Sequence, residues 1–326
     1  MADFIRIPGN PPPDGAETFD FEADDRTRIR AAIFARPAAR AGVVLLSGRS
    51  EFIEKYFEVV GDLHARGFSV ATFDWRGQGL SARPLADSQK GHVGDFAAYR
   101  ADLRRFVDEI ARPRLPGPLV LLTHSMGGAP ALQLLADGYD AFEAAVLCAP
   151  MTRLFADPVK RAYARVVANV LSALGASRRS IPGAKEHSLE FRGNVLTSDP
   201  QRHARFRDLQ SAAPNAVIRE PTFGWLKAAT DAMADLRRPG RFARMKTPTR
   251  IISAEHDYLV DSSDHLRLAA ASDMIDCVTI KGALHEIMME TDQYRAAFWS
   301  AFDAFVEPRL AAQAPRRPVR ERKPAS

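Results

Sequence analysis

The chain has few cysteines. Cys148 and Cys277 are the two among 326 residues, and each sits in an apolar, strand-like run. They read as small buried hydrophobes in a reducing compartment, not as a disulfide framework or a metal site. No run of about 18 apolar residues is present, which excludes a membrane-spanning helix. The opening residues MADFIRIPGNPPPDG lack the apolar region of a secretory signal. A cytoplasmic location is therefore expected. No internal repeat is visible. The G-x-G of Gly77-Gln78-Gly79 is followed by Ser81-Ala82-Arg83-Pro84, not by the third glycine and helix that a dinucleotide site needs. It reads as a structural turn whose Arg76 pairs with backbone or carboxylate, so no cofactor and no metal are expected.

What is present is ordinary for a globular protein: 46% apolar and 26% charged residues. The length suffices for one large core or a core with a subdomain. The net charge is +5. Part of the excess lies near the end, where Arg316, Arg317, Arg320, Arg322 and Lys323 face a single Glu321. The plain reading of residues 311–326 is a solvated, disordered tail. The sharper one is weak attraction to the anionic headgroups of the inner membrane. No nucleic-acid-binding motif accompanies the charge.

Periodicity predicts an α/β chain. Thr18 to Ala23 and Arg28 to Ala35 alternate around Asp24-Asp25 as a hairpin. Gly42 to Leu46, Leu119 to Leu122 and Ala144 to Cys148 are wholly apolar, as parallel strands covered on both faces are, and Phe68 to Phe73 reads as another buried strand. Helical spacing separates them over Glu54 to Arg66 and over Asp95 to Ile110, with Asp95 as N-cap. The pattern stops after Pro150 and resumes with strands at Thr249 to Ser253 and Ile275 to Ile280. A last helix covers Gln293 to Val306. Residues 1–150 and 246–310 thus read as a doubly wound core and 151–245 as a helical insertion. Within the insertion, Asp157-Pro158 opens a helix with an apolar stripe of Tyr163, Val166, Val167, Val170, Leu171 and Leu174, closed by Gly175. Trp225 to Leu236 is a second helix.

The chemistry centres on Thr123-His124-Ser125-Met126-Gly127-Gly128, which joins an apolar strand to a helix. A serine at such a turn is strained and exposed above the sheet edge, with the helix N-terminus aimed at charge developing there. The pattern is T-x-S-x-G, with Thr123 in the place of the usual glycine. A serine hydroxyl needs a base within hydrogen-bond reach and a third group to orient that base. In this architecture the order is Ser, acid, His. His285 stands just past a strand end beside Gly282 and is the expected base. His64, His187, His203 and His265 fall on helices or in the insertion and suit surface or capping roles, and His124 should point away from the serine. Asp257 follows a strand end and is the expected acid, with Glu255 and Asp261 as rivals. The oxyanion needs two backbone N–H donors. Met126, after the serine, and Arg49, in the loop Ser47 to Glu51, are the candidates.

THSMGG, DWRGQGLS, the late His256-Asp257 and the GALHE loop together resemble an α/β-hydrolase. SGRSEFIEKY, Lys90 to Leu103 and EPTFGWLKAA are similar to segments of bacterial lysophospholipases of the monoacylglycerol lipase type. The resemblance spans about Phe21 to Val306. It implies a mostly parallel eight-stranded sheet and a Ser125–Asp257–His285 triad. It also implies oxyanion amides from Arg49 and Met126, and an insertion that caps an acyl-chain tunnel. Ser47 stands where monoacylglycerol lipases carry His, which favours the lysophospholipase branch. The expected activity is hydrolysis of a single-chain, lipid-like ester, a lysophospholipid first. Monoacylglycerol lipase, general carboxylesterase and aminopeptidase are the enzymatic alternatives, and a non-catalytic binding scaffold is the other. Epoxide hydrolases and dehalogenases carry an aspartate at the elbow, where this chain has Ser125.

Overall fold

A computed structural model describes residues 3–183 and 190–313. His187 and the basic residues from 314 onward lie outside the described residues. The chain opens with strands β1 (Ala16–Glu22) and β2 (Arg28–Phe34), an antiparallel hairpin with Ala16 opposite Phe34. β3 (Ala41–Leu46) leads through a 3-10 turn at Ile53–Tyr56 into helix α1 (Phe57–Ala65) and then β4 (Phe68–Phe73). A two-residue β5 (Lys90–Gly91) precedes α2 (Phe96–Arg105), which continues through a π-helical turn into α3 (Arg112–Arg114). Asp95 caps α2 by accepting the Ala97 N–H. Then come β6 (Leu119–His124), α4 (Gly128–Ala136) and β7 (Ala144–Cys148). The inserted segment holds α5 (Pro158–Leu171), α6 (Pro200–Ala212), a two-residue β8 (Glu220–Pro221) and α7 (Phe223–Asp235). β9 (Thr249–Ala254), α8 (Ser263–Ala270), β10 (Ile275–Ile280) and α9 (Asp292–Gln313) complete the fold.

Eight strands form one sheet in the order β1-β2-β4-β3-β6-β7-β9-β10. β2 runs antiparallel to both its neighbours, and every pairing from β4 to β10 is parallel. Every residue of β3, β4, β6 and β7 is buried, which is why these stretches are largely apolar and do not alternate. Side chains leave the two faces in turn. Val43 and Leu45 join Phe57, Val60, Phe298 and Phe302 beneath α1 and α9. Val44 and Leu46 join Phe96, Leu103 and Leu132 beneath α2 and α4. β5 pairs with β8 and so ties the loop after β4 to the inserted segment.

Two expectations are corrected. The last helix does not stop at Val306 but runs through Pro308 to Gln313. Leu310 is buried against the core and holds the turn beyond the proline, so the expected tail begins as helix at 311. The apolar stripe of α5 does not pack inward as a whole. Ala168 is its fully buried residue, whereas Tyr163 is 70% exposed, Val166 60% and Leu174 76%. α5 packs on α7, with Ala168 buried and its bulkier side chains left exposed or in the groove between the two helices.

Candidate active site

The site is built where the parallel strands end. β6 delivers the chain to His124 and α4 starts at Gly128, which leaves Ser125–Gly127 to turn it in a single 3-10 turn. Ser125 takes φ of +47°, a left-handed conformation costly for a residue with a side chain. The glycines beside it are steric necessities. A Cβ on Gly127 would lie 2.6 Å from the Ser47 carbonyl oxygen, and one on Gly128 would lie 2.5 Å from Pro150 Cβ. Thr123 is fully buried in β6.

The three side chains singled out from sequence meet here. His285 lies in the loop after β10 and is buried. Its Nε2 stands 2.9 Å from Ser125 Oγ, and its Nδ1 stands 2.6 Å from Asp257 Oδ2. Asp257 follows β9, and its other oxygen accepts the Leu259 and Val260 N–H groups, each at 2.9 Å. Burial pushes the Asp257 carboxyl up, but the His285 charge and hydrogen bond and the two N–H donors outweigh it and hold it below its ordinary value. A carboxylate only accepts, so Nδ1 carries the proton and Nε2 offers its lone pair to the serine hydroxyl. The rival acids are engaged elsewhere. Glu255 accepts the Gly282 N–H at 2.8 Å. Asp261 accepts the Ser263 N–H at 3.2 Å and pairs with Arg153 at 2.7 Å.

Arg49 and Met126 come from adjacent segments. Gln78 joins them: its Oε1 accepts the Ser50 N–H at 2.7 Å, and its Nε2 lies 3.4 Å from Met126 Sδ. The Arg49 guanidinium lies over the Trp225 ring, 5.0 Å from its centroid. Arg76 pairs with Asp102 and Asp25, each within 2.7 Å, as the turn reading anticipates.

Ser125 and His285 open into a cavity of about 430 Å³, also lined by Phe155, Lys160, Phe206 and Trp225. His203 lines it too, contrary to the surface or capping role expected, because α6 lies across this side of the site. A larger groove of about 680 Å³ runs between α5 and α7, shares Leu154 and Phe155 with the first, and contains none of the three side chains. His124 is buried with its ring nitrogens on Glu51 and on the His285 carbonyl, away from Ser125. His265 is also buried, on Ser253 Oγ and the Pro150 carbonyl. Sequence reasoning missed Gln78, Glu51, Lys55 and Glu286. The one signal for them is the Glu51/Lys55 spacing of four within SGRSEFIEKY. Among the described residues no group of His, Cys, Asp or Glu side chains is arranged to hold a metal, and no helix is long and apolar enough to cross a membrane.

Residues 37–292 match the family described as "Serine aminopeptidase, S33". The chain belongs to that family. This S33 chain is 33% identical over 290 residues to lysophospholipase L2 of Escherichia coli K12, covering 85% of itself and 83% of that protein. It is 24% identical over 258 residues to the monoacylglycerol lipase of Mycolicibacterium smegmatis, covering 78% of itself and 84% of that protein. Among solved structures, a soluble variant of the Saccharomyces cerevisiae monoglyceride lipase superposes with a TM-score of 0.73 at 20% identity, covering 90% of this chain and 96% of that one. A Bacillus coagulans carboxyl esterase superposes at 0.70 with 18% identity, covering 91% and 99%. These two likenesses show the fold. The S33 chain is an α/β-hydrolase of the lysophospholipase and monoacylglycerol lipase type.

Proposed function

We propose that the protein is a serine esterase acting on single-chain acyl esters, lysophospholipids first. The observation that carries this reading is the pair of contacts through His285, 2.9 Å to Ser125 Oγ and 2.6 Å to Asp257. In this reading Ser125 Oγ attacks the ester carbonyl carbon while His285 Nε2 takes its proton. Asp257 fixes the tautomer and stabilises the imidazolium. The carbonyl oxygen becomes an oxyanion facing the backbone N–H groups of Arg49 and Met126. Collapse expels the alcohol, which leaves with the proton from His285, and the acyl group remains on Ser125. A water attacks that ester, gives its proton to His285, and the fatty acid departs as the serine regains the proton.

Residues 151–245 act as the cap of the cavity. Lys160 and Arg207 bring positive charge to its wall, which suits a phosphate-bearing headgroup better than a bare glycerol or an amino terminus. That charge and the 33% identity to a lysophospholipase support the lysophospholipid over the monoacylglycerol and aminopeptidase readings. A weak peripheral contact with an anionic membrane belongs to the same reading. The basic tail expected to make it lies outside the described residues. The exposed Val159, Tyr163, Val166 and Val170 of α5, with Lys160, Arg161 and Arg165 on the same helix, have the makeup of an interfacial helix.

The test is a panel of lysophospholipids, monoacylglycerols, short esters and aminoacyl amides given to pure enzyme and to Ser125→Ala. Ser125→Ala should lose esterase activity and fluorophosphonate labelling. Full retained activity would overturn the mechanism, and a wild type that neither labels nor turns over any ester would leave only a binding scaffold.

A further inference from the structure

Behind the triad lies a set of buried charges with no part in the chemistry above. Glu51 is 5% exposed, Lys55 6%, His124 3% and Glu286 7%. Lys55 Nζ donates to Glu51 Oε1 at 2.7 Å and to Glu286 Oε1 at 2.6 Å, and stands 4.5 Å from the centroid of the Phe206 ring. Glu51 Oε2 also accepts the Gly48 N–H at 2.5 Å and the Tyr56 hydroxyl at 2.6 Å. His124 Nδ1 faces Glu51 at 3.2 Å and its Nε2 faces the His285 carbonyl oxygen at 3.4 Å. Both partners of the ring are acceptors, and only a doubly protonated imidazole donates to both. Burial pushes His124 down, but Glu51 above all, with a smaller contribution from Glu286, outweighs burial and the opposing Lys55, and the ring is held above its ordinary value. Two carboxylates then meet two cations and the cluster is neutral, the condition for keeping four charges out of water.

The four residues come from three segments of the chain. Glu51 and Lys55 belong to the loop that carries Arg49, His124 precedes Ser125, and Glu286 follows His285. We propose that this buried cluster is a positioning device, in which Lys55 bridges the oxyanion loop to the base loop and His124 joins both to the elbow. The three segments are thereby set relative to one another by one group of charges, independently of the substrate. The fit is tight at Gly48, where a Cβ would lie 2.8 Å from Glu51 Oε2, 3.0 Å from His124 Nδ1 and 3.1 Å from Ser125 Cβ. A shift of Glu51 therefore reaches the nucleophile and the loop together.

The inference rests on the triad reading, and the experiment separates the two. Lys55→Met, Glu286→Gln and the double variant are compared with wild type and Ser125→Ala, with kcat expressed per Ser125 titrated by a fluorophosphonate. Lys55→Met leaves an excess of buried negative charge. It should lower Tm and cut kcat by about 10- to 100-fold, with KM changed by less than about threefold. The double variant leaves Glu51 against His124 and is again neutral, so Tm should return while kcat stays low. A purely structural role predicts that kcat per titrated serine never falls, or that it recovers with Tm, and either result overturns the proposal. If Lys55→Met does not fold, Glu286→Gln alone carries the test, since it removes one arm of the bridge and keeps the Lys55–Glu51 pair. If Ser125→Ala stays active, the triad reading itself has failed. If only Ser125→Ala is inactive, the triad stands and the positioning role falls.

Discussion

Asp257→Asn is the perturbation whose outcome the geometry fixes most closely. Oδ1 of Asp257 is held by two N–H groups, from Leu259 and Val260, so the amide oxygen of an asparagine would take that place. Its NH₂ would then point at His285 Nδ1, where the carboxylate oxygen now stands at 2.6 Å. A donor there requires Nδ1 to be the acceptor, and the ring proton moves to Nε2. Nε2 would then donate to Ser125 Oγ across the 2.9 Å contact and could not take the serine proton. The base is present but in the wrong tautomer. Loss on the order of 10⁴ in kcat is expected, about 5 kcal/mol of transition-state stabilisation. KM should change little, because the cavity lining is untouched. Steady-state kinetics on a soluble short-chain ester, with Tm recorded beside it, makes the measurement. A variant within about tenfold of wild type in kcat would refute the tautomer argument and with it the role given to Asp257.

Two other outcomes follow from the inserted segment. Glu58, on α1, meets Arg202 and Arg205 of α6 and Arg295 of α9. Burial pushes its carboxyl up, but these arginines outweigh it and hold it at about 2, against an ordinary 4.5. A lowered value stabilises the fold fully above about pH 4.5, and that contribution disappears as pH falls toward 2. The shift caps the effect near 3 kcal/mol, and partial exposure reduces it to about 1–2 kcal/mol. Thermal melts between pH 6 and pH 3 should show Glu58→Gln less stable than wild type at pH 6 and the gap narrowing by about half by pH 3, and parallel curves would exclude the linkage. On the outer face of α5, Val166→Asp should weaken sedimentation with anionic vesicles several-fold and leave kcat on a soluble short ester unchanged. Unaltered vesicle binding would remove α5 from the membrane reading.

The parts legible in the sequence are those in which one local pattern has one structural outcome. Ala144–Cys148 is apolar at every position and Phe68–Phe73 at all but Ser69 and Thr72, and a run of that kind in an alternating α/β chain fits a covered parallel strand. Ser125, Asp257 and His285 could be picked out because each follows a strand of the sheet, in the order this architecture imposes. The buried charges were illegible for the opposite reason. Glu51, Lys55 and Glu286 read as surface residues, since charge is almost never fully buried unless it is paired, and pairing across 231 positions leaves no mark in the sequence. The stripe of α5 shows another limit. Its period of Tyr163, Val166, Val170 and Leu174 gives a helix with an apolar face, but the period does not say whether the fold covers that face, and here most of it stays exposed. The last helix outruns the expected end at Val306 because α9 accommodates Pro308 and Leu310 packs against the core beyond it.

The sheet alone cannot bring the three side chains together. Two strands part β6 from β10, so neighbouring strands about 4.8 Å apart leave the His285 loop roughly 14 Å from the strand that precedes Ser125. The loop after β10 must return across the strand ends, and its backbone N–H groups leave the ladder to do so. Buried carboxylates receive them. Glu290 accepts the Leu284 N–H at 3.0 Å and the Ser198 N–H at 2.9 Å, which binds the His285 loop to the inserted segment. Asp74 accepts the N–H groups of Ile53 at 3.0 Å and Leu80 at 2.8 Å, and Glu51 accepts that of Gly48. Each carboxylate offers two oxygens in a fixed plane and needs only a cation to be stable in the interior, so one side chain replaces two ladder bonds. Arg30 serves Asp74 in this way and Lys55 serves Glu51. The arrangement of the site therefore rests in part on acidic residues outside the Ser125–Asp257–His285 set. A substitution of Glu290 should accordingly disturb His285 more than the sheet beneath it.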